Sequence, residues 1–155
     1  MSDYTQYEFE EGRRGNFTMV PNFVDDMKLS PYAVRLYMHM RRRAGEGEAG
    51  ECFETSKHLA EYCLMSVGQV SKCKKELVAS GLITISRVKK GHGEFASDVT
   101  TIKDIWKVNE LWFKVPKERR KDAVLEHKEY SRDAVNGFIE YVRELINNIA
   151  KEAKE

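Results

Sequence analysis

Between Ser56 and Lys75 the chain gathers side chains that can grip a phosphodiester and touch a base: Ser56, Lys57, Ser66, Val67, Gly68, Gln69, Ser71, Lys72 and Lys75. Lysine ammonium groups and serine hydroxyls donate to phosphate oxygens. A glutamine amide can pair bidentately with adenine, and a valine can meet a thymine methyl. A second cluster, Arg87, Lys89, Lys90 and His92, follows and could reach a neighbouring minor groove or its phosphates. The competing reading of these lysines is a solvated face, the common fate of a charge run.

Cys52, His58, Cys63 and Cys73 are the group with metal-ligand chemistry. Their separations of five, four and nine residues fit no zinc pattern. Cys63 and Cys73 fall at inward positions, where cysteine behaves as a small hydrophobe, so neither metal nor cofactor is expected. The sequence holds no phosphate loop, nucleophile elbow or HExxH. His39 stands among Met and Arg on a helix and is read as a surface residue. An enzyme is therefore not expected.

The elements that must position the first cluster are two short helices joined by a tight turn. One begins at Thr55 or Ser56 and runs to about Cys63, with Leu59, Ala60 and Cys63 inward. Leu64-Met65 is the turn, Met65 plugging the core beneath it. Ser66 with Gln69 three residues on forms a capping box for the next helix, whose inner face is Val70, Cys73 and Leu77. Gly81 closes that helix because it tolerates a left-handed backbone. Leu82–Val88 alternates and is rich in β-branched residues, so it reads as a strand. Lys89-Lys90-Gly91-His92-Gly93 is a turn, and Phe95–Ile102 the returning strand. Helix, turn, helix and basic-tipped hairpin is the order of a winged helix-turn-helix, whose partner is double-stranded DNA.

The charge distribution agrees. The 155 residues carry a net charge of only +1. Residues 1–55 hold 7 basic and 10 acidic groups, residues 56–93 hold 7 and 2, and residues 94–155 hold 12 and 13. The positive excess lies on the helix pair and hairpin, and a local patch matters more to phosphate binding than the total. No run of apolar residues is long enough to span a membrane. Three cysteines without CxxC spacing, and no apolar leader at the N-terminus, point to reduced thiols in a cytoplasm.

Residues 1–15 read as a loose polar tail, within which Arg13-Arg14 could touch DNA. Asn16–Val20 alternates like a short strand. Ser30 and Pro31 open a helix as cap and first residue, with Ala33, Leu36, Tyr37 and Met40 on its apolar face. Arg41, Arg42 and Arg43 complement its dipole at the C-terminus. Gly45–Gly50 is a flexible acidic loop, and Cys52–Thr55 is strand-like. Asp104–Lys114 is aromatic-rich and turns back over the core. Lys117–Tyr130 is helical by propensity, and Ser131 caps a last helix reaching about Glu152. In it Val135, Phe138, Ile139, Val142, Leu145, Ile146 and Ile149 make a wide apolar stripe. The stripe fits either packing on the chain's own domain or a second subunit or partner.

LSPYAVRLYMHM, followed by GECFETSKHLAEYCLMSVGQVSKCKKELVASGLITI, resembles the winged helix-turn-helix domains of phage and plasmid replication proteins. Related versions occur in replisome organisers and initiators of Gram-positive bacteria and in some transcriptional regulators. Leu29-Ser30-Pro31, Leu59-Ala60, Met65-Ser66, Val70, Glu76-Leu77 and Gly81-Leu82-Ile83 carry the resemblance, with Asp104-Ile105-Trp106 and Asn109 after the hairpin. Members often have an apolar residue where Lys74 stands, and Arg or Lys where Val67 and Gly68 stand. Lys74 is expected to lay its stem along the core edge and lift its charge to water. Gln69 becomes the main base-reading candidate.

The combined expectation is an α+β chain, mainly α. It comprises a tail over 1–15, a winged helix-turn-helix over 16–114 and a C-terminal helical extension over 115–155. The resemblance implies a bacterial, DNA-associated protein that binds duplex DNA in sequence-specific fashion, in replication of a mobile element or as a transcriptional regulator. A homodimer or a replication or regulatory protein partner, such as a helicase or loader docked on the C-terminal helices, is the accompanying expectation.

Overall fold

A computed structural model describes residues 17–45, 49–89, 95–130 and 137–155. Its elements are α1 (Asn22–Asp26), α2 (Pro31–Ala44), β1 (Ala49–Cys52), α3 (Ser56–Cys63), α4 (Val67–Ser80), β2 (Ile83–Lys89), β3 (Phe95–Lys103), α5 (Trp106–Trp112), α6 (Lys117–Tyr130) and α7 (Phe138–Glu152). The chain is α+β and mainly helical, with a small antiparallel sheet.

Local chemistry sets the boundaries of the central elements. Ser30 Oγ accepts from Ala33 N at 3.2 Å, and Pro31 follows at the first helical position. Ser30 is itself held from α4: its N and Oγ both donate to the Glu76 carboxylate at 2.7 Å. Thr55 caps α3 and Ser66 caps α4 through the same side-chain-to-backbone bond. Leu64 turns the chain between them in the left-handed region, φ 56°, a conformation non-glycine residues seldom take. Gly81, φ 87°, ends α4 as expected.

The sheet order is β1-β3-β2. The β2–β3 hairpin pairs Ile83 with Ile102 and Thr84 with Thr101, and β1 adds to the outer edge of β3. The loop expected through Gly50 thus ends earlier, because Ala49 and Gly50 pair with Lys103 and Ile102. Residues 17–20 are not a strand; Met19 instead offers its carbonyl to Arg41 Nε at 2.8 Å.

One continuous core runs from Phe23 through Leu36, Tyr37 and Met40 to Val70, Leu77, Leu82, Trp112 and Val142. Phe23 stacks on Phe138 and meets Trp112 edge-on, each with centroids 5.5 Å apart. Two polar bonds pin α1 to α5: Phe23 N donates to Asn109 Oδ1 at 2.9 Å, and Trp112 Nε1 to Asp26 Oδ2 at 2.8 Å. Helix α7 begins at Phe138 after Gly137; Ser131, the expected cap, and Val135 lie outside the described residues. Phe138, Ile139 and Val142 are buried in this core, and Leu145 and Ile146 pack against it. Gly137 sits so close to the end of α4 that a Cβ there would fall 2.8 Å from the Ala79 carbonyl and 2.9 Å from Gly81 N.

Candidate nucleic-acid interface

Helix α4 buries Val70, Cys73 and Leu77 and turns Val67, Gly68, Ser71, Lys72 and Lys75 outward. Its first turn is uncharged. Val67 is 52% exposed, and Leu64 just before it is 89% exposed, so the leading edge is apolar and narrow at Gly68. Ser66 is exposed and half used: its hydroxyl accepts from Gln69 N at 3.0 Å. The reciprocal half of the expected capping box is not formed. The Gln69 side chain lies half-buried along the helix, with Nε2 donating to Cys73 Sγ at 3.4 Å. To read a base, that amide must exchange a weak sulfur acceptor for the base edge, a favourable trade since sulfur accepts poorly.

Lys57, Lys72 and Lys75 are exposed, and among the described residues none has a carboxylate partner. Arg87 on β2 differs, because its Nε pairs with Asp98 Oδ1 across the hairpin at 3.2 Å. A groove of 430 Å³ joins the helices to the hairpin, lined by Ser56, Ser71, Lys74, Lys75, Arg87 and Asp98, among others. The start of α3, the middle of α4 and the base of the hairpin therefore form one surface. Lys90, His92 and the side chain of Lys89 lie outside the described residues, as do Arg13 and Arg14.

Lys74 departs from expectation. It does not lift its charge to water: it is 7% exposed, and Nζ donates to Ser56 Oγ at 3.3 Å. The sequence gives its helical position, but the hydroxyl that receives it comes from the start of α3.

Residues 28–83 match the model of a helix-turn-helix domain family. The capped α3–turn–α4 geometry lies inside the matched segment, which is about a third of the chain, and has the helix-turn-helix form. No curated protein gives a significant match. Among solved structures, a possible transcriptional regulator from Methanosarcina mazei Go1 is similar at 10% identity and a TM-score of 0.42, over 85% of this chain and 82% of that one. Among the described residues no helix is long and apolar enough to cross a membrane.

Sequence reasoning missed a second polar cluster, on the other side of α3. His39 is not a surface residue; it is 2% exposed. Its Nε2 lies 3.0 Å from Glu54 Oε1. The same carboxylate accepts from Arg43 Nε at 2.8 Å and pairs with His58 Nδ1. Burial pushes the Glu54 carboxyl up, but hydrogen bonds and charge from His39, then His58 and Arg43, outweigh it and hold the group below the ordinary glutamate value. Arg41, expected at the helix end for its dipole, is buried against Met19 O and the Trp106 ring. The signal that could have found the cluster is the spacing of Arg35, His39 and Arg42 at i, i+4 and i+7, one helix face. The cysteines are all free and buried. Burial, the largest influence on each, raises the thiols of Cys52 and Cys63, which makes them poor nucleophiles.

Proposed function

We propose that this protein binds double-stranded DNA in sequence-specific fashion, with α4 in the major groove. The observation that supports the reading is the outward face of the helix pair: Lys57, Lys72 and Lys75 stand without carboxylate partners among the described residues, beside a narrow, uncharged leading turn of α4. Val67 and Leu64 meet thymine methyls or sugar, Gln69 and Ser71 approach base edges, and Ser66 and Gly68 allow close approach. Lys72 and Lys75 take phosphates flanking the groove. Ser56 and Lys57 hold a phosphate at the start of α3, where the first N–H groups face outward. Arg87, with Lys89, Lys90 and His92, follows the neighbouring minor groove.

The test is a fluorescence anisotropy titration of a duplex across a salt series. Lys72→Ala with Lys75→Ala should lower affinity for specific and nonspecific duplexes alike. It should also reduce the slope of log K against log salt by about 2, since each phosphate left without its lysine lowers the slope by about 0.9. An unchanged slope would remove α4 from the interface.

The resemblance to replication proteins of phages and plasmids supports origin DNA of a mobile element as the target, with transcriptional control as the alternative. Selection of bound fragments from a digested genome separates them. Recovery of repeats beside a replication origin supports the first, and recovery of a promoter alone supports the second.

A further inference from the structure

A cavity of 550 Å³ opens between the α2 and α3 faces, away from the α4 lysines. Phe17, Thr18, Arg35, His39, Arg42 and Tyr62 line it, with Met38. Arg35, His39 and Arg42 come from one face of α2, and Tyr62 from α3 closes over them. Its ring stacks on His39 at 4.1 Å, lies 5.9 Å from the Arg35 guanidinium, and its hydroxyl accepts from Arg42 Nη1 at 3.1 Å.

His39 is the distinctive member. Its Nε2 is held by Glu54, which fixes the ring, while its Nδ1 is buried with no hydrogen-bond partner among the described residues. Buried polar atoms are nearly always paired, and leaving one unpaired costs about 1–3 kcal/mol. An ionised Glu54 accepts only, so Nε2 carries the proton that faces it. In the imidazolium form Nδ1 then carries a second proton, aimed away from Glu54 and lacking an acceptor. Two guanidiniums on the same wall and the Thr18 hydroxyl supply further donors. Among the described residues no carboxylate lines the cavity.

The geometry points to a second anion site here, one that takes a phosphate-type oxyanion between Arg35, Arg42 and the Nδ1–H of His39. Arginine forks match phosphate oxygens in bidentate fashion. The exposed side chains of Arg35, Arg42 and Tyr62 form the rim, so an oxyanion reaches the ring by displacing side chains, not backbone. The charged and titratable groups facing His39 are Glu54 from the β1–α3 connection, Arg35, Arg42 and Arg43 from α2, and Tyr62 and His58 from α3. The oxyanion is either a free phosphate-bearing ligand or a phosphate of nucleic acid that passes the α2 side.

The test uses the full chain and inorganic phosphate, followed by the ¹⁵N shifts of the histidine rings at pH 6 and pH 8. A saturable shift of His39 Nδ1 is expected, and its loss in Arg35→Gln with Arg42→Gln. Both arginines are exposed, so that variant keeps the fold, which its backbone amide spectrum checks. The same variant is then titrated with duplex DNA. Loss of phosphate binding with DNA affinity intact assigns the site to a free ligand. Loss of both, with a smaller salt slope, assigns it to DNA phosphate. No saturable His39 shift at either pH, or a shift that survives in the variant, overturns the site. Because α4 is untouched, failure here leaves the major-groove reading standing.

Discussion

The cations of α4 and those of α2 occupy outward helix faces in the same small domain, yet they are held in opposite ways. Lys72 and Lys75 extend from α4 with no acidic partner among the described residues. Arg42 and Arg43 of α2 are tied down, one on the Tyr62 hydroxyl and the other on Glu54, which also holds His39 and His58. Flexible, unpaired ammonium groups exchange counterions for phosphates with little rearrangement. Guanidiniums already in fixed hydrogen bonds give up less rotamer freedom and hold a shape. The first face is thus suited to a long, repeating polyanion, and the second to one small group in one geometry.

Glu54 is the sharpest place to break that contrast. Glu54→Gln should cost roughly 1–3 kcal/mol, because the neighbours of a mostly buried carboxylate lose their charged acceptor. Its DNA salt slope should stay at the parental value. The difference in stability should also depend on pH. The folded-state carboxyl is held below its ordinary value. Its contribution is therefore complete above the unfolded glutamate value of about 4.3, and fades as pH falls through the lower folded value. Urea melts of both proteins between neutral pH and pH 3 follow this directly; a gap that widens toward acid would contradict the network.

Asp98→Asn approaches the contrast from the other side. It releases Arg87 from Asp98 and removes a negative charge from the groove proposed to face DNA. Duplex affinity should rise by about tenfold or less, with a slightly steeper salt dependence. A drop in affinity would mean that Asp98 positions Arg87 and does not merely occupy it.

Lys74→Met should give the smallest change. The buried ammonium rests on a single neutral hydroxyl, so an apolar side chain of similar length should alter stability by about 1 kcal/mol or less, in either direction. Chemical denaturation resolves this, and a loss of several kcal/mol would show that Lys74 is a structural tether between α3 and α4.

What could be read from the sequence was local. Ser66 and Gly81 bracket α4 through bonds to residues three or four away, and β2 alternates along its own length, so both elements were legible. Helix α1 was not, since its five residues carry no side-chain cap and depend on Asn109 and Trp112 from α5. His39 stands among methionines and arginines that resemble a surface. It becomes a buried group only when Glu54, fifteen positions away, folds beneath it. Lys74 was assigned its correct position on the helix but not its partner, because the Ser56 hydroxyl that receives its Nζ comes from the start of α3; the bond from Gln69 to Cys73 Sγ was likewise not legible. A summed charge concealed the α2 cluster, whose arginines share residues 1–55 with 10 acidic side chains. The apolar stripe of α7 was visible as a stripe, but the sequence left its packing partner open. In the fold its first turns lie against Phe23, Trp112 and the end of α4.

That junction at the end of α4 has a mechanical meaning. Backbone meets backbone where Gly137, just before α7, abuts Ala79 and Gly81, and the Ile139 side chain of α7 packs beside Gly81. Whatever takes hold of the last helix therefore bears directly on the end of α4.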